Sequence, residues 1–507
     1  MRVHRLLPLL FLLAGCANDA YIVVTIESRP AVHDAATLRV TLSNAGSMRT
    51  EEIPLGGASF PATFSISPAD RTGDLGIAID ALDAAGALVG RGEARSTIGA
   101  STARVMLEPT DFVVNTEYVE DQQLSNYFGA NGFQLAATPA GTWTAIYNAA
   151  CSQPCNVYAR RFDVSARPIT SVLAAGTAGF AVSSKQTTSF STPAIASNGT
   201  TTLAVWNHDD PVTTAFSIEC RALDAAGAGG GGQIQIATDE FPNLVSVAAL
   251  PNGNFAVAWD GRATTTMIRA AIVRPDCTVL PPGATAVSQT AGTIGPGRSH
   301  VAANGANILY AWTLDDAVHI RVGRNDGTFA TNDIALIAKT ATESIEHVRV
   351  APLDDGFAVA VRWALTSGSA GPGRLELYRV TSTGALMGAP MLISDRSGSD
   401  FSSHDSFGIA AAPGAVLVVW HACMDKGDGS GCGVFGRLMR GSGPASDEIV
   451  LATTTTNDQT GPSAVALPNG AFATAWTDRS GAPPDSSGTA VRARVIYPTA
   501  AGAGLAP

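Results

Sequence analysis

The chain has 507 residues, of which 46% are hydrophobic and 15% are charged, and its formal net charge at pH 7 is −11. An acidic chain with only three lysines argues against nucleic acid and anionic lipid surfaces as partners, because clustered basic groups bind both. The 52 glycines and 28 prolines favour many short strands joined by turns over long surface helices.

The first residues have the pattern of an export signal. Arg2 and Arg5 precede an apolar run over residues 6–13, which is too short to cross a bilayer. A basic start followed by a short apolar core predicts a signal peptide over residues 1–15 and an exported protein.

The signal ends in Leu-Ala-Gly-Cys at residues 13–16, which resembles the lipobox of bacterial lipoproteins. The resemblance implies a lipid on Cys16, a linker over residues 16–19, and the outer membrane as destination, since Ala17 rather than aspartate follows. An ordinary signal peptide with an incidental cysteine is the alternative. No later apolar run is long enough to span a bilayer, so we expect the lipid to be the only anchor.

Residues 20–109 alternate strongly between apolar and polar positions. Seven segments with this period of two are YIVVTIES, TLRVTLS, EEIPL, ATFSIS, GDLGIAIDALD, ALVGRGEA and ARVMLEP. Seven short strands in about ninety residues predict a β-sandwich of immunoglobulin-like or transthyretin-like type. Its place after the linker suggests a spacer.

Residues 110–498 contain seven similar segments, followed by a tail over residues 499–507. In each segment two apolar stretches flank a glycine turn, and the second stretch ends in an aromatic residue, as in ALPNGNFAVAW and ALPNGAFATAW. The turn glycines are Gly141, Gly199, Gly253, Gly305, Gly356, Gly414 and Gly470, and the aromatics are Tyr147, Trp206, Trp259, Trp312, Trp363, Trp420 and Trp476. A third run with arginine and a short fourth run complete each unit. Four strands in about fifty residues predict a β-propeller blade, so the fold class is all-β with seven blades.

The ends of the repeat array favour a closed ring over a stack of separate sheets. The seventh unit stops after its third strand, while DFVVNTEYVEDQ at residues 111–122 aligns with EIVLATTTTNDQ at residues 448–459, the fourth strand of unit six. We therefore expect the early segment to supply the missing fourth strand of unit seven, which would remove the exposed sheet edges.

Several units resemble propeller repeats of secreted and surface proteins of bacteria. The similarity is sharpest in YARRFD at residues 158–163 and in the sixth unit. It implies the fold and a surface location, and it carries no catalytic residues. The third-strand arginines are expected to lay their stems over the outer sheet with their heads in water; a binding stripe is the alternative.

Six further cysteines are consistent with disulfides in an oxidising compartment. Cys151 and Cys155 bracket three residues, and Cys423 and Cys432 bracket a glycine-rich loop. These two local pairs would leave Cys220 to bond with Cys277. A redox or metal role for CSQPC is the alternative, although no histidine cluster accompanies it.

Aspartates collect in the loops between strands two and three, which share one face of a propeller with the connections between blades. The predicted ligand face comprises Asp209, Asp210, Asp260, Asp315, Asp316, Asp425, Asp428 and Asp478, and the connections add Asp239, Glu240, Asp395, Asp400 and Asp458. Carboxylates of this kind are what Ca²⁺ requires, so calcium is a candidate cofactor. A solvated acidic rim is the preferred alternative, since DKGDGSG does not match a calcium loop.

Histidines also fall near this face. His208 and His421 follow two of the closing tryptophans, and His404 precedes Asp405 in a neighbouring loop. They could converge on a metal or serve as general bases, but exposed loop histidines are the preferred interpretation.

Motifs of common enzymes are missing. The chain has no G-x-S-x-G, H-E-x-x-H or phosphate-binding loop, and GAGGGG lies between strands instead of opening a helix. NDGTF has the wrong spacing for a sialidase box. We therefore expect a lipid-anchored envelope protein that presents its propeller for non-enzymatic binding of a protein or a glycan. The alternatives are a glycan hydrolase that uses paired carboxylates, and a structural subunit of an envelope complex.

Overall fold

The protein is described from a computed structural model. It covers residues 2–5, 21–68, 71–116, 135–149, 156–169, 179–184, 191–210, 215–224, 231–238, 244–262, 266–289, 299–315, 317–365, 373–397, 407–423, 427–441, 443–444 and 446–498. The chain divides into two compact units, Met1–Asp111 and Phe112–Pro507. None of the described residues forms a helix, and hence none belongs to a helix able to span a bilayer.

The first unit is one eight-stranded sheet with strand order β1-β5-β2-β8-β7-β6-β3-β4. All seven strands expected from the alternating segments are present. The strands are β1 (Arg2–Arg5), β2 (Ile22–Ser28), β3 (Thr37–Asn44), β4 (Ser47–Pro54), β5 (Ala62–Ser67), β6 (Asp74–Leu82), β7 (Leu88–Thr97) and β8 (Thr102–Pro109).

One core serves both halves of this sheet. Apolar side chains at alternate positions of β2, β5 and β8 pack with those of β3 and β6, so the period of two in the sequence becomes one buried face. The halves are joined where β7 pairs with β8, through Gly90 opposite Pro109 and Arg91 opposite Glu108. The two separate sheets that a β-sandwich requires are not shown; the sheet is continuous.

The second unit is a seven-bladed β-propeller, as the repeats predict. Its sheets comprise β10–β14, β15–β18, β19–β22, β23–β26, β27–β30, β31–β35, and β36–β38 with β9. The strands of the first three blades are β10 (Leu135–Ala137), β11 (Trp143–Ala149), β12 (Asn156–Phe162), β13 (Pro168–Ile169), β14 (Gly179–Ala181), β15 (Ala194–Ser197), β16 (Thr201–Asp209), β17 (Phe216–Asp224), β18 (Ile234–Thr238), β19 (Val245–Ala249), β20 (Phe255–Arg262), β21 (Thr266–Val273) and β22 (Thr285–Ala286).

The strands of the other four blades continue the same antiparallel meander. They are β23 (Ser299–Asn304), β24 (Asn307–Leu314), β25 (Ala317–Arg324), β26 (Ile334–Ile337), β27 (Glu343–Leu353), β28 (Gly356–Leu365), β29 (Gly373–Thr381), β30 (Met391–Ser397), β31 (Phe407–Ala412), β32 (Ala415–Ala422), β33 (Gly433–Arg440), β34 (Gly443–Pro444), β35 (Ile449–Val450), β36 (Gln459–Ala466), β37 (Phe472–Asp478) and β38 (Ala490–Ile496). The strand β9 (Phe112–Val113) belongs to the seventh sheet.

The first strands of the blades form a continuous inner ring. Each of β10, β15, β19, β23, β27 and β31 contacts the first strand of the next blade, and β36 contacts β10. Apolar clusters fill the spaces between successive blades, which places the core in the interfaces and leaves the hairpin turns at the two ends of the ring.

The repeated glycines and aromatics have the roles that the sequence predicts. Gly253 and Gly470 adopt φ of 86° and 82°, a left-handed conformation that a tight turn needs and that side chains disfavour. The seven closing aromatics are at most 3% exposed and supply large apolar surfaces to the neighbouring blade.

The segment that precedes the first blade pairs with the last one. Val113 lies opposite Arg492, and Phe112 lies opposite Ala493, at the outer edge of the seventh sheet. The backbone N–H of Val114 also donates to the carbonyl of Val491 at 2.7 Å.

Third-strand arginines bridge adjacent blades in five places, and the expectation that the head reaches water is wrong for Arg494, which is 4% exposed. In blades one, two, four, six and seven the guanidinium donates to backbone carbonyls in, or directly after, the outer strand of the preceding blade. These bonds join Arg160 to Val113 and Val114, Arg221 to Ala181 and Val182, Arg321 to Ala286 and Val287, Arg437 to Ile393, and Arg494 to Leu451. Carbonyls at a sheet edge lack strand partners, and the arginines satisfy them.

Candidate functional site

Two aspartates of the predicted acidic face are parts of the scaffold. Asp260 is 1% exposed, and its carboxylate accepts a hydrogen bond of 2.7 Å from the backbone N–H of Leu244. Asp478 is equally buried and accepts 2.9 Å and 3.3 Å bonds from Arg492 and Gln459. Since both carboxylates are enclosed and hydrogen-bonded, neither is offered to a ligand.

The other members of that face are more accessible. Asp209, Asp210, Asp428 and Asp458 are half-buried, and Asp315 is exposed. Within the described ranges, no group of three or more His, Cys, Asp or Glu side chains is placed to hold a metal ion. The predictions for Asp239, Glu240, Asp316, Asp400, Asp425, His404 and Asp405, and for the Asp395 side chain, lie outside the described residues.

Among the described residues of this face, Asp428 and Asp458 form a carboxylate pair: Asp428 lies in the loop between the second and third strands of blade six, and Asp458 lies in the connection to blade seven. The loop is held by the Cys423–Cys432 disulfide and by a 3.0 Å bond from the Cys432 N–H to Asp458. Burial raises the pKa of the Asp428 carboxyl, a hydrogen bond from the Ser430 backbone N–H opposes this, and the charge of Asp458 raises the pKa further. The two carboxyl groups therefore interact, and the pKa of Asp428 is raised by burial and by its neighbour.

The histidines do not behave as exposed loop residues. His208 and His421 are 3% and 5% exposed and lie inside the second strands of blades two and six. The expectation of solvent-facing loop histidines is wrong for these two, because the strands extend past the closing tryptophans and enclose the rings between blades.

Two of the three expected disulfides are confirmed. Cys220 in β17 bonds to Cys277 in the turn after β21, which joins the second blade to the third, and Cys423 bonds to Cys432. The remaining pair, Cys151 and Cys155, lies outside the described residues, as does Cys16.

A cleft of about 250 Å³ lies between blades five and six. It opens at the end of the ring that carries the turns between strands one and two, opposite the predicted acidic loops. Its floor is apolar and comes from both blades: Leu377 and Met391 from the fifth, and Val416 and Met439 from the sixth. Ala412 is half-buried at the edge of this floor.

Charged side chains line the rim of the cleft. Arg379 donates a 2.5 Å hydrogen bond to Asp355, and this pair lies on the blade-five wall. Asp354 on the same wall and Arg440 on the blade-six wall have no side-chain partner among the described residues. The rim therefore offers one uncommitted charge of each sign on facing walls.

The cleft lies beside a turn after the third strand that is tighter in blade six than in the three blades before it. In blades three, four and five the third strand continues into a closed loop with the bridges Val273–Val279, Gly323–Phe329 and Val380–Leu386. In blade six only residues 441 and 442 separate β33 from β34. The corresponding groove between blades three and four is filled by Tyr310 and Phe329, whose rings are 6.0 Å apart, and only about 10 Å³ remains there.

Sequence reasoning missed this site. The signal was present: the connection after the third strand reads RPDCTVLPPG, RNDGTFATND and TSTGALMGAP in units three to five and RGSGPASDE in unit six, which is nearly as long but has no counterpart of Val279, Phe329 or Leu386. The absence of a bulky apolar side chain from this connection leaves open an interface of the kind that Phe329 fills in blade four.

The chain matches no family model and no curated protein. Among solved structures, an ulvan lyase bound to a saccharide is similar with a TM-score of 0.42 and 9% identity, over 75% of this chain and 96% of that one. The fucose-specific lectin from Aleuria aurantia is similar with a TM-score of 0.38 and 11% identity, over 65% and 98%. A glycosyl hydrolase from Bacteroides ovatus is similar with a TM-score of 0.30 and 9% identity, over 50% and 85%.

Proposed function

We propose that the protein is a non-enzymatic binding protein of the bacterial envelope and that the cleft between blades five and six is its ligand site. The observation that carries the proposal is the cleft itself: an apolar floor from two blades beneath a rim with uncommitted charges. A concave apolar site with a few polar groups at its edge is the usual form of a ligand site.

The use of the predicted aspartates supports binding over catalysis. Asp260 and Asp478 are enclosed and hydrogen-bonded, so they are not free to act as an acid or a nucleophile. The cleft itself holds two carboxylates, of which Asp355 is paired with Arg379 and Asp354 lies at an exposed rim.

The anchor and the ring closure belong to the same proposal. Lipid on Cys16 would hold the protein at the outer membrane after cleavage removes the edge strand β1, with the remaining strands of the first unit as a spacer. The pairing of β9 with β38 would close the ring and keep its interfaces, including the cleft, in place. Radiolabelled palmitate incorporation that disappears in Cys16→Ser tests the anchor; unchanged labelling would contradict it.

Binding of the purified protein to isolated envelope fractions and to arrayed envelope glycans tests the ligand site. Ala412→Phe should fill the cleft and weaken binding about tenfold or more, since a fully buried side chain contributes roughly 1.5–3 kcal/mol. Arg324→Gln is the matched control, because Arg324 is exposed at the same end of the ring in blade four. Equal binding by Ala412→Phe and wild type would overturn the proposal.

A glycan hydrolase is the second candidate, and the Asp428–Asp458 pair favours it. A carboxyl whose pKa is raised by burial and by a neighbouring carboxylate is the arrangement that glycosidases use for acid catalysis. Release of reducing ends from envelope polysaccharides, abolished in both Asp428→Asn and Asp458→Asn, would establish this activity. If the wild type released no reducing ends, the hydrolase hypothesis would be wrong.

A further inference from the structure

We propose that the cleft between blades five and six binds an aliphatic side chain of an extended segment of a protein partner. The inference rests on the proposed function, and it narrows the class of ligand from a protein or a glycan to a peptide segment of a protein. It depends on the chemistry of the floor, on the entrance and on the charges of the facing walls.

The floor of the cleft favours aliphatic groups over hydroxyl groups. Leu377, Val416 and Met439 are at most 5% exposed and present only aliphatic and thioether groups. Burying sugar hydroxyls against them would cost free energy, because the floor offers no hydrogen-bond partner. None of the described lining residues is aromatic, so a pyranose would also lack a ring to stack on.

The two methionines make the floor adaptable. Met391 and Met439 come from opposite blades and have flexible, polarisable side chains that repack around an inserted aliphatic group. A volume of about 250 Å³ suits one residue and not a longer buried segment, so the rest of the peptide would cross the rim.

The entrance permits a chain to pass. Gly414 and Gly441 stand at the rim on the blade-six side, and a Cβ placed on either would meet no atom within 4 Å. The backbone of a peptide can therefore run across these glycines without a side chain in its way.

The charges at the rim favour particular residues on either side of the inserted aliphatic residue. Asp354 and Arg440 carry opposite charges on facing walls and have no side-chain partner in the described part of the chain. A basic residue on one side of the aliphatic residue and an acidic residue on the other would complement them. Such exposed pairs contribute modestly and set orientation more than affinity.

Methionine-methyl NMR of the full chain tests the proposal. The probes are N-acetylated, C-amidated peptides Gly-Lys-X-Glu-Gly, with Leu or Ser at X, and methyl α-mannopyranoside. We expect the leucine peptide to shift the methyl signals of Met391 and Met439 saturably, with about tenfold higher affinity than the serine peptide. Met48 and Met106, which lie in the first unit, should not shift.

Variants confirm the place of binding. Ala412→Phe should abolish the shifts, Arg440→Gln should weaken the peptide several-fold without changing the fold, and Arg324→Gln should behave as wild type. Shifts caused by the glycoside but not by the peptides would overturn the inference while leaving the cleft as a ligand site. An absence of shifts with every probe would overturn the inference. If the wild type then still bound envelope fractions and Ala412→Phe did not, the proposed function would survive.

Discussion

Arg160 donates a hydrogen bond of 2.7 Å to the backbone carbonyl of Val114, a residue that precedes it by 46 positions. Arg160 lies in the first blade, and Val114 directly follows β9, which pairs with the seventh sheet. The bond therefore has the form seen at four other blade interfaces, where a third-strand arginine reaches the outer strand of the preceding blade. Arg160 therefore contacts β9 in the way that the other third-strand arginines contact the outer strand of the preceding blade, here blade seven.

Loss of this arginine should loosen the junction between the last blade and the first. We expect Arg160→Met to lower the free energy of unfolding of the propeller by about 2 kcal/mol, because the carbonyls of Val113 and Val114 lose a charged donor. Urea unfolding measures the change. Arg104→Met is the control, since Arg104 is 81% exposed in the first unit and should cost little. A cost for Arg160→Met no larger than the control would contradict the bridging role.

His300 should make the propeller sensitive to mild acid. Its Nδ1 accepts a 3.1 Å hydrogen bond from the backbone N–H of Val350, and burial together with Arg349 lowers the His300 pKa well below 6.5. Below about pH 6.5 the unfolded chain then binds more protons than the folded one. The stabilisation that comes from neutral, buried His300 is therefore complete above that pH and is lost as the pH falls.

His300→Ser removes the titration and keeps an acceptor, as Ser246 accepts from Val301 at the preceding interface. Between pH 6.5 and 5.5 the wild type should lose up to about 1.4 kcal/mol more than the variant, the limit for one proton per pH unit. Urea unfolding at three pH values measures this difference. Parallel curves for the two proteins would show that His300 is not the group responsible.

The two disulfides should contribute unequally. Cys220–Cys277 closes a separation of 57 residues and Cys423–Cys432 one of 9, so the chain-entropy model gives about 4 and about 2.5 kcal/mol. Replacing each pair by alanines and comparing unfolding midpoints tests the order. A larger loss from the short pair would mean that the loop of blade six, and not chain entropy, dominates.

Asp458 should hold the Asp428 pKa up. We expect Asp458→Asn to move it down towards the ordinary value, because a neighbouring negative charge is removed while the amide oxygen can still accept from Cys432. Carboxyl-carbon NMR titration follows Asp428 directly. An unchanged pKa would leave burial as the sole cause and would weaken the case for a catalytic pair.

The blades could be predicted from the sequence because each carries its own local signals. Gly253 and Gly470 mark hairpins, and Trp259 and Trp476 lie in the buried strands that follow them; these features depend on residues near one another in the chain. The first unit was predicted strand by strand, but not as one sheet, because the alternating pattern of β7 and β8 is the same whether the two strands pair or lie in separate sheets.

The site depends on neighbours that the sequence does not place. An aspartate after a tryptophan has the same local pattern whether it faces water or, like Asp260, the buried backbone N–H of Leu244. The cleft lies beside a connection of blade six that has no bulky apolar side chain, and a search for motifs does not detect a missing side chain. Comparison of the residues in these connections among the repeats would have found it.

The measurement that tests the central claim most directly compares envelope binding by Ala412→Phe and Asp428→Asn, each beside the wild type. We expect Ala412→Phe to bind at least about tenfold more weakly, because it fills the cleft, and Asp428→Asn to bind as the wild type does. Thermal melts of all three proteins would establish that each is folded. Loss of binding in Asp428→Asn with full binding by Ala412→Phe would place the ligand on the opposite end of the ring and contradict the account.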